Sequence, residues 1–318
     1  MVSIQNYVLQ DLSQSLEQNI TTEFARLHQF LQDKEQQLIQ QLKEEANGIL
    51  EKMKKSLNEI QKMAETIQRE ISDNRSTLQQ EDPLLFLSSL KSETERNKDS
   101  QEVKTDAVEL ISEDLTLGVY KGPLQYKVWK EMLSIIIPVP SPLTLDPDTA
   151  HPNLILSEDL TSVRHAEVTQ HLPDNPKRFN TYICVLGKEG FNSGQHYWEV
   201  EVKNKTVWDV GVTRESSNRK GCFAMTAKHG YWRMILRNGN KYTAIGSSVN
   251  LTLTVKPQRI GVYLDYEGGE VSFYNADNMS HIYTFTDKFT ERIYPYFCPG
   301  LNHEGENAEP LKLCHLKL

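Results

Sequence analysis

The stretch Tyr231-Trp232-Arg233-Met234-Ile235-Leu236-Arg237 holds the side chains in this sequence best suited to binding. In a strand successive side chains alternate faces, so Trp232, Met234 and Leu236 are expected in a core and Arg233, Ile235 and Arg237 outside it. An apolar residue between two outward arginines is either a solvated edge or a binding surface, where arginine and apolar anchors carry most of the affinity. Other chemistry finds little support. The nine histidines form no His-x-x-x-His or His-Glu-x-x-His pair, so no metal is expected. Neither glycine-rich phosphate loop is present, and there is no G-x-S-x-G elbow. Asp265 and Glu267 lie close together, but one carboxylate pair beside a hairpin is weak support for a glycosidase. No catalytic residue and no cofactor are expected.

Cys184, Cys222, Cys298 and Cys314 contain no C-x-x-C pair, and no two are closer than 16 residues. That spacing fits scattered buried thiols in a reducing compartment better than a zinc finger or a dense disulfide scaffold. Lys and Arg number 35 against 43 Asp and Glu, a net charge of −8, which argues against a mainly electrostatic nucleic-acid binder. The first residues show no apolar signal core. Apolar runs such as Ile135-Ile136-Ile137 are far short of the ~20 residues that cross a bilayer. An intracellular, soluble chain with no membrane partner is the expectation.

Two halves must position the candidate strand. Residues 1–81 hold no proline and one glycine, Gly48. An apolar stripe runs from Ile20 to Leu78 in steps of three or four, through Phe24, Leu27, Leu31, Lys34, Leu38, Leu42, Ile49, Met53, Ile60 and Ile67. Its 58 residues in sixteen steps average close to 3.6. That mixes seven- and eleven-residue repeats and predicts a nearly straight rod. The rod should run from about Asp11 to Gln80, roughly 100 Å at 1.5 Å per residue. A helix that long has no globular core to lie on, so its stripe should be covered by another helix. Asp82-Pro83 should end it. Residues 91–106 are highly charged and read as loose. Val108–Leu115 and Tyr126–Met132 read as short helices that fold back on the rod, the latter with Trp129 and Met132 on one side. Pro138, Pro140 and Pro142 read as a stiff linker.

Beyond it the period becomes two. His196-Tyr197-Trp198-Glu199-Val200-Glu201-Val202, Val207–Val212 and Ile260–Asp265 alternate apolar and polar residues. Glu267-Gly268-Gly269-Glu270 is a hairpin turn. Many short strands with frequent turns predict an antiparallel β-sandwich, with Trp198 and Trp208 in its core. The expected fold is thus α+β and multidomain: a coiled-coil helix over 1–82, short helices and a linker over 83–140, and a sandwich over 141–318.

Several segments go beyond pattern. They are Leu145-Asp146-Pro147 with Asn153-Leu154-Ile155-Leu156-Ser157, Gly194-Gln195-His196-Tyr197-Trp198-Glu199-Val200, Leu264-Asp265-Tyr266-Glu267, Val271-Ser272-Phe273-Tyr274-Asn275 and Tyr294–Gly300. In that order they closely resemble the PRY-SPRY domain. The rod with Phe24–Leu31, and Tyr120–Tyr126, resembles the coiled coil and linker of tripartite-motif ubiquitin ligases, nearest the nuclear-factor-seven-like branch.

The resemblance implies a protein target held by the PRY-SPRY groove, with Glu215, Ile235, Arg237, Tyr242, Leu301 and Asn302 as its lining. It implies antiparallel homodimers through Phe24, Leu27, Leu31, Leu38, Leu42, Ile49, Met53, Ile60 and Ile67. It also implies an innate-immune setting in the cytoplasm or nucleus, and no direct nucleic-acid partner. Family members often carry aromatic residues where Ile235 and Arg237 stand, which implies a different target here. Members usually begin with a RING and one or two B-boxes rich in Cys/His zinc ligands. This sequence holds no such segment, so the chain as given is not expected to transfer ubiquitin. Its rod reads as shorter than the family's.

Overall fold

The computed structural model describes residues 2–79, 83–84, 87–88, 91, 115, 117–245, 249–303 and 305–315. It comprises two compact units, residues 1–135 and 136–318. In the first, helix α1 (Val2–Leu78) runs 77 residues, about 115 Å at 1.5 Å per residue. It begins nine residues before Asp11 because residues 2–10 contain neither glycine nor proline. Its described part ends at Leu78, with Gln79 N donating to Arg75 O at 3.2 Å. The expected stop at Asp82-Pro83 and the helix expected over Val108–Leu115 fall almost wholly outside the described residues, as do residues 92–106.

Helices α2 (Leu117–Lys121) and α3 (Leu124–Met132) fold back on α1. Pro123 caps α3, a place where a missing N–H costs no helical bond. Leu124 and Val128 of α3 and Tyr120 of α2 face Leu31, Lys34, Leu38, Ile39 and Leu42 of α1 across a cleft of about 350 Å³. Lys34, the one charged residue of the stripe's N-terminal half, meets Glu131 at 2.5 Å. Tyr120 donates to Glu45 Oε2 at 3.1 Å. Trp129 does not join this packing; it is 36% exposed, with its ring 5.7 Å from that of Tyr126.

The expected interface residues of α1 therefore divide. Leu38 is buried, and Leu27, Leu42 and Ile49 are half-buried, within the chain itself. Phe24, Leu31, Met53, Ile60 and Ile67 are exposed. Leu38 faces this chain's own α3.

The second unit is the sandwich. One sheet orders its strands β1-β2-β13-β4-β9-β10-β11, the other β3-β12-β5-β6-β7-β8. In the first sheet lie β1 (Leu154–Leu156), β2 (Ser162–His165), β13 (Leu311–Cys314), β4 (Gln195–Glu201), β9 (Arg259–Asp265), β10 (Glu270–Asn275) and β11 (Ser280–Thr286). In the second lie β3 (Val185–Leu186), β12 (Ile293–Cys298), β5 (Trp208–Arg214), β6 (Tyr231–Arg237), β7 (Lys241–Ile245) and β8 (Val249–Leu251). All ladder pairs are antiparallel. The period-two residues Trp198, Val200, Trp208, Val210, Val212, Val262, Leu264 and Phe273 fill the core between the sheets. β9 and β10 meet through the Glu267–Glu270 turn, where Gly269 takes φ +70°. The prolines are not a free linker: Pro140 bridges Tyr197, and Ser141 N donates to Tyr197 O at 2.7 Å. The sandwich unit accordingly begins at Ile136 rather than residue 141.

Candidate functional site

The outer face of the six-stranded sheet follows from alternation. Trp232, Met234 and Leu236 of β6 enter the core, as their spacing requires, and so do Trp208 and Val210 of β5. The residues between them turn the other way. Strand register then sets Cys298, Asp209, Ile235 and Thr243 in one row across β12, β5, β6 and β7. Asp209 lies directly opposite Ile235, so Arg233 and Arg237, two residues to either side on the same face, reach it along the diagonals. Arg233 Nη1 bonds Asp209 Oδ2, and Arg237 Nη1 lies 2.6 Å from Oδ1. Arg237 Nη1 also donates to Leu236 O at 2.8 Å and Trp208 O at 3.1 Å. Burial is the largest single cause and pulls both guanidinium pKa values down, but Asp209 and the neighbouring groups together outweigh it, and both end above the ordinary arginine value. Ile235 is only 9% exposed, which corrects the expectation of an exposed apolar residue there.

Beside this triad lies an open groove of about 490 Å³. Thr181, Tyr182 and Ile183 form one wall, Val207, Asp209 and Arg237 the floor, and Cys298, Gly300, Leu301 and His303 the other side. The Arg237 side chain is 40% exposed and Leu301 44%. Gly300 is obligatory: its φ is +74°, and a Cβ would stand 2.7 Å from Val207 O. Asn307, buried and absent from the sequence expectation, holds the loop. Its Nδ2 lies within 3.1 Å of the carbonyls of Pro299, Val207 and Leu301, and its Oδ1 accepts from Thr206 N at 3.0 Å. Lys205 is fully buried beneath, donating to Glu309 O at 2.6 Å and Asn307 O at 3.4 Å; burial pulls it down to about 8. Neither residue has a motif around it; Lys203-Asn204-Lys205 reads as a solvated turn.

Of the six expected lining residues, the groove brings together Arg237 and Leu301. Glu215 lies apart, in a hollow with Asp146, Lys188, Arg219, Lys220 and Tyr294. Asn302 faces a third hollow with His165 and Gln170; its N–H donates to His165 Nδ1 at 3.3 Å and its Oδ1 accepts from Asn307 N at 3.2 Å. Tyr242 is corrected outright. It pairs with Leu236, shares that residue's core-facing side, and sets its ring 6.2 Å from Trp208. Asp265 and Glu267 serve the turn: Asp265 accepts from Gly268 N and Gln195, and Glu267 from Gly194 N. Among the described residues no cluster of three His, Cys, Asp or Glu could hold a metal, and no helix is long and apolar enough to cross a membrane.

Comparison with known proteins agrees with this architecture. The PRY profile, an SPRY-associated domain, matches residues 143–191, and the SPRY domain profile matches 195–311. The chain is 48% identical over 300 residues to Nuclear factor 7, ovary, of Xenopus laevis, covering 94% of this chain and 49% of that protein. It is 45% identical over 301 residues to E3 ubiquitin-protein ligase TRIM69 of Rattus norvegicus, covering 94% and 60%. A solved structure, the TRIM65 PSpry domain, is similar over 61% of this chain and 96% of its own at 24% identity and a TM-score of 0.47. This chain thus spans about half to three-fifths of the curated relatives it matches. With PRY and SPRY domains in sequence, and its rod and sandwich both aligned to these relatives, the chain carries a PRY-SPRY domain behind a long helix.

Proposed function

We propose that this chain is the target-recognition and self-associating half of a tripartite-motif E3 ubiquitin ligase, and that it holds a protein target in the groove between Tyr182, Arg237 and Leu301. The observation that carries this reading is the exposed Leu301 beside a guanidinium that shares the Asp209 carboxylate with Arg233. Arginine and apolar anchors in one concave site are the usual makers of binding energy. One carboxylate against two cations leaves this face net positive on a chain of net charge −8. An acidic or carbonyl-rich segment is the complementary target.

The rod serves by pairing two such grooves, which raises avidity for a target with repeated sites. Exposed Met53, Leu57, Ile60, Ile67 and Ile71 favour a second helix along α1. Cytoplasm or nucleus is the proposed setting.

Proximity labelling in cells, comparing the chain with its Arg237→Ala and Leu301→Asp forms, tests the recognition reading. Partners lost by both variants, with folding intact, are expected; an unchanged partner set would refute the groove. Light scattering tests the rod, where a dimer is expected. A monomer that forms mixed dimers with a full-length relative would instead make it a regulator of that relative.

A further inference from the structure

The pairing of β3 with β12 carries a consequence for two thiols. Leu186 pairs with Tyr296 and Val185 with Phe297, so the next step of the ladder sets Cys184 opposite Cys298. Gly187 N donates to Pro295 O at 2.8 Å, which marks 187/295 as a hydrogen-bonded pair. By alternation 185/297 is another, and 184/298 falls at a site without ladder bonds. The Cys184 carbonyl is indeed spent elsewhere, accepting from His151 N at 3.1 Å. Opposed Cα atoms at such sites approach to about 4.5 Å, with side chains closest, inside the range a disulfide spans. Burial pushes the Cys184 thiol well up, and Cys298 follows as the next cause, acting as hydrogen-bond and charged neighbour.

The two sulfurs differ in access. Cys184 is 1% exposed, with its Sγ 2.7 Å from the Tyr296 hydroxyl. Cys298 is half-buried and lines the groove. On the next strand Cys298 pairs with Asp209, the carboxylate that Arg233 and Arg237 share. A groove-lining thiol with a second, buried thiol across the ladder is the arrangement of a peroxide-reactive and resolving pair.

We propose that Cys298 and Cys184 are a reversible redox pair, closed by hydrogen peroxide to a disulfide beside the binding groove. The Cys298 thiolate attacks one peroxide oxygen, and the O–O bond breaks to give Cys298 sulfenic acid and hydroxide, which takes a proton to become water. The Cys184 thiol then attacks the Cys298 sulfur, the S–OH bond breaks, and a second water leaves. The balance is two thiols and one peroxide to one disulfide and two waters. A dithiol reductant reverses it.

The test uses the whole chain, reduced, exposed to hydrogen peroxide, quenched with N-ethylmaleimide under denaturant and digested for mass spectrometry. A linked Cys184–Cys298 peptide, two hydrogens lighter than the pair and lost on dithiothreitol treatment, is expected. Cys222→Ser should leave it unchanged. Cys184→Ser should leave a sulfenic acid on Cys298 that a 1,3-dione traps, which keeps the proposal testable without the bond. Alkylation of Cys184 to the same extent before and after peroxide would overturn it, as would a linkage through Cys222 or a Cys184→Ser chain that forms no dione adduct.

Discussion

Replacing Asp209 with asparagine removes one charge, keeps the shape, and leaves two cations facing a neutral amide. The consequences for the three members of the triad differ because their burial differs. Asp209 is 3% exposed, the Arg233 side chain 13% and the Arg237 side chain 40%. Breaking a buried pair by removing one partner costs about 3–5 kcal/mol, because an uncompensated charge is left in a poor dielectric. Asp209→Asn should therefore destabilise the sandwich by about 3 kcal/mol or more. Arg237→Ala leaves Asp209 still paired with Arg233 and removes a group that water already reaches. Its cost should be about 1 kcal/mol. Arg233→Ala should fall between, since Asp209 keeps only its more exposed partner.

Urea unfolding followed by tryptophan fluorescence reads these differences, because Trp198, Trp208 and Trp232 all sit in the sandwich core. The order Asp209→Asn, then Arg233→Ala, then Arg237→Ala is the expected ranking. It is what makes Arg237 available as a binding residue: the fold does not need it. Equal losses for Asp209→Asn and Arg237→Ala, or a loss below ~1 kcal/mol for Asp209→Asn, would refute the reasoning, and with it the separation of scaffold from recognition on this face.

Lys205 sets a pH dependence. Its folded pKa of about 8 lies below its unfolded value of 10.5, so between them the unfolded chain binds the extra proton, and stability rises with pH by up to ~1.4 kcal/mol per unit. Lys205→Met should abolish that rise between pH 8 and 10, and an unchanged slope would contradict the burial. Asn307→Ala should loosen the 299–307 loop while costing about 1–3 kcal/mol from its unpaired neighbours; unaltered hydrogen exchange at Leu301 and Asn302 would show the loop to be held otherwise. Leu38→Ala should weaken the docking of α2 and α3 on α1 by about 2 kcal/mol. Exchange at residues 117–132 would then speed up by roughly thirtyfold, and no change there would mean that Leu124 and Val128 do not hold the helices.

The rod was legible because nothing interrupts it: a stripe of period near 3.6 over a stretch without proline leaves few alternatives. Lys34 is the charged member of that stripe, and only the fold-back of α3 supplies its Glu131. The sandwich was legible from period-two alternation, and Trp198, Trp208, Trp232, Met234 and Leu236 lie where that period puts them. Register was not legible. Between β6 and β7, a two-residue Asn238-Gly239 turn would pair Ile235 with Tyr242 and turn Tyr242 outward. The three residues 238–240 form the turn instead and pair Leu236 with Tyr242, and a slip of one residue exchanges the faces. The same limit hid Asp209, whose partners are set by cross-strand diagonals rather than by spacing along the chain.

The groove's shape therefore rests on buried polar groups more than on the apolar core beneath it. Leu301 stands where it does because Asn307 ties three loop and strand carbonyls together, and Asn307 is backed by an ammonium whose burial is costly. Arg237 points as it does because Asp209 sits one strand away. Leu301 is held through its backbone carbonyl, and the bonds of Arg237 to the scaffold run through Nη1. Substituting Leu301 changes what the groove presents without touching what holds it, whereas substituting Asn307 or Asp209 moves the frame. On the proposed reading of this groove, a sequence changes target through Leu301 and Arg237 at little cost in folding, which is the property a recognition domain on a common scaffold requires.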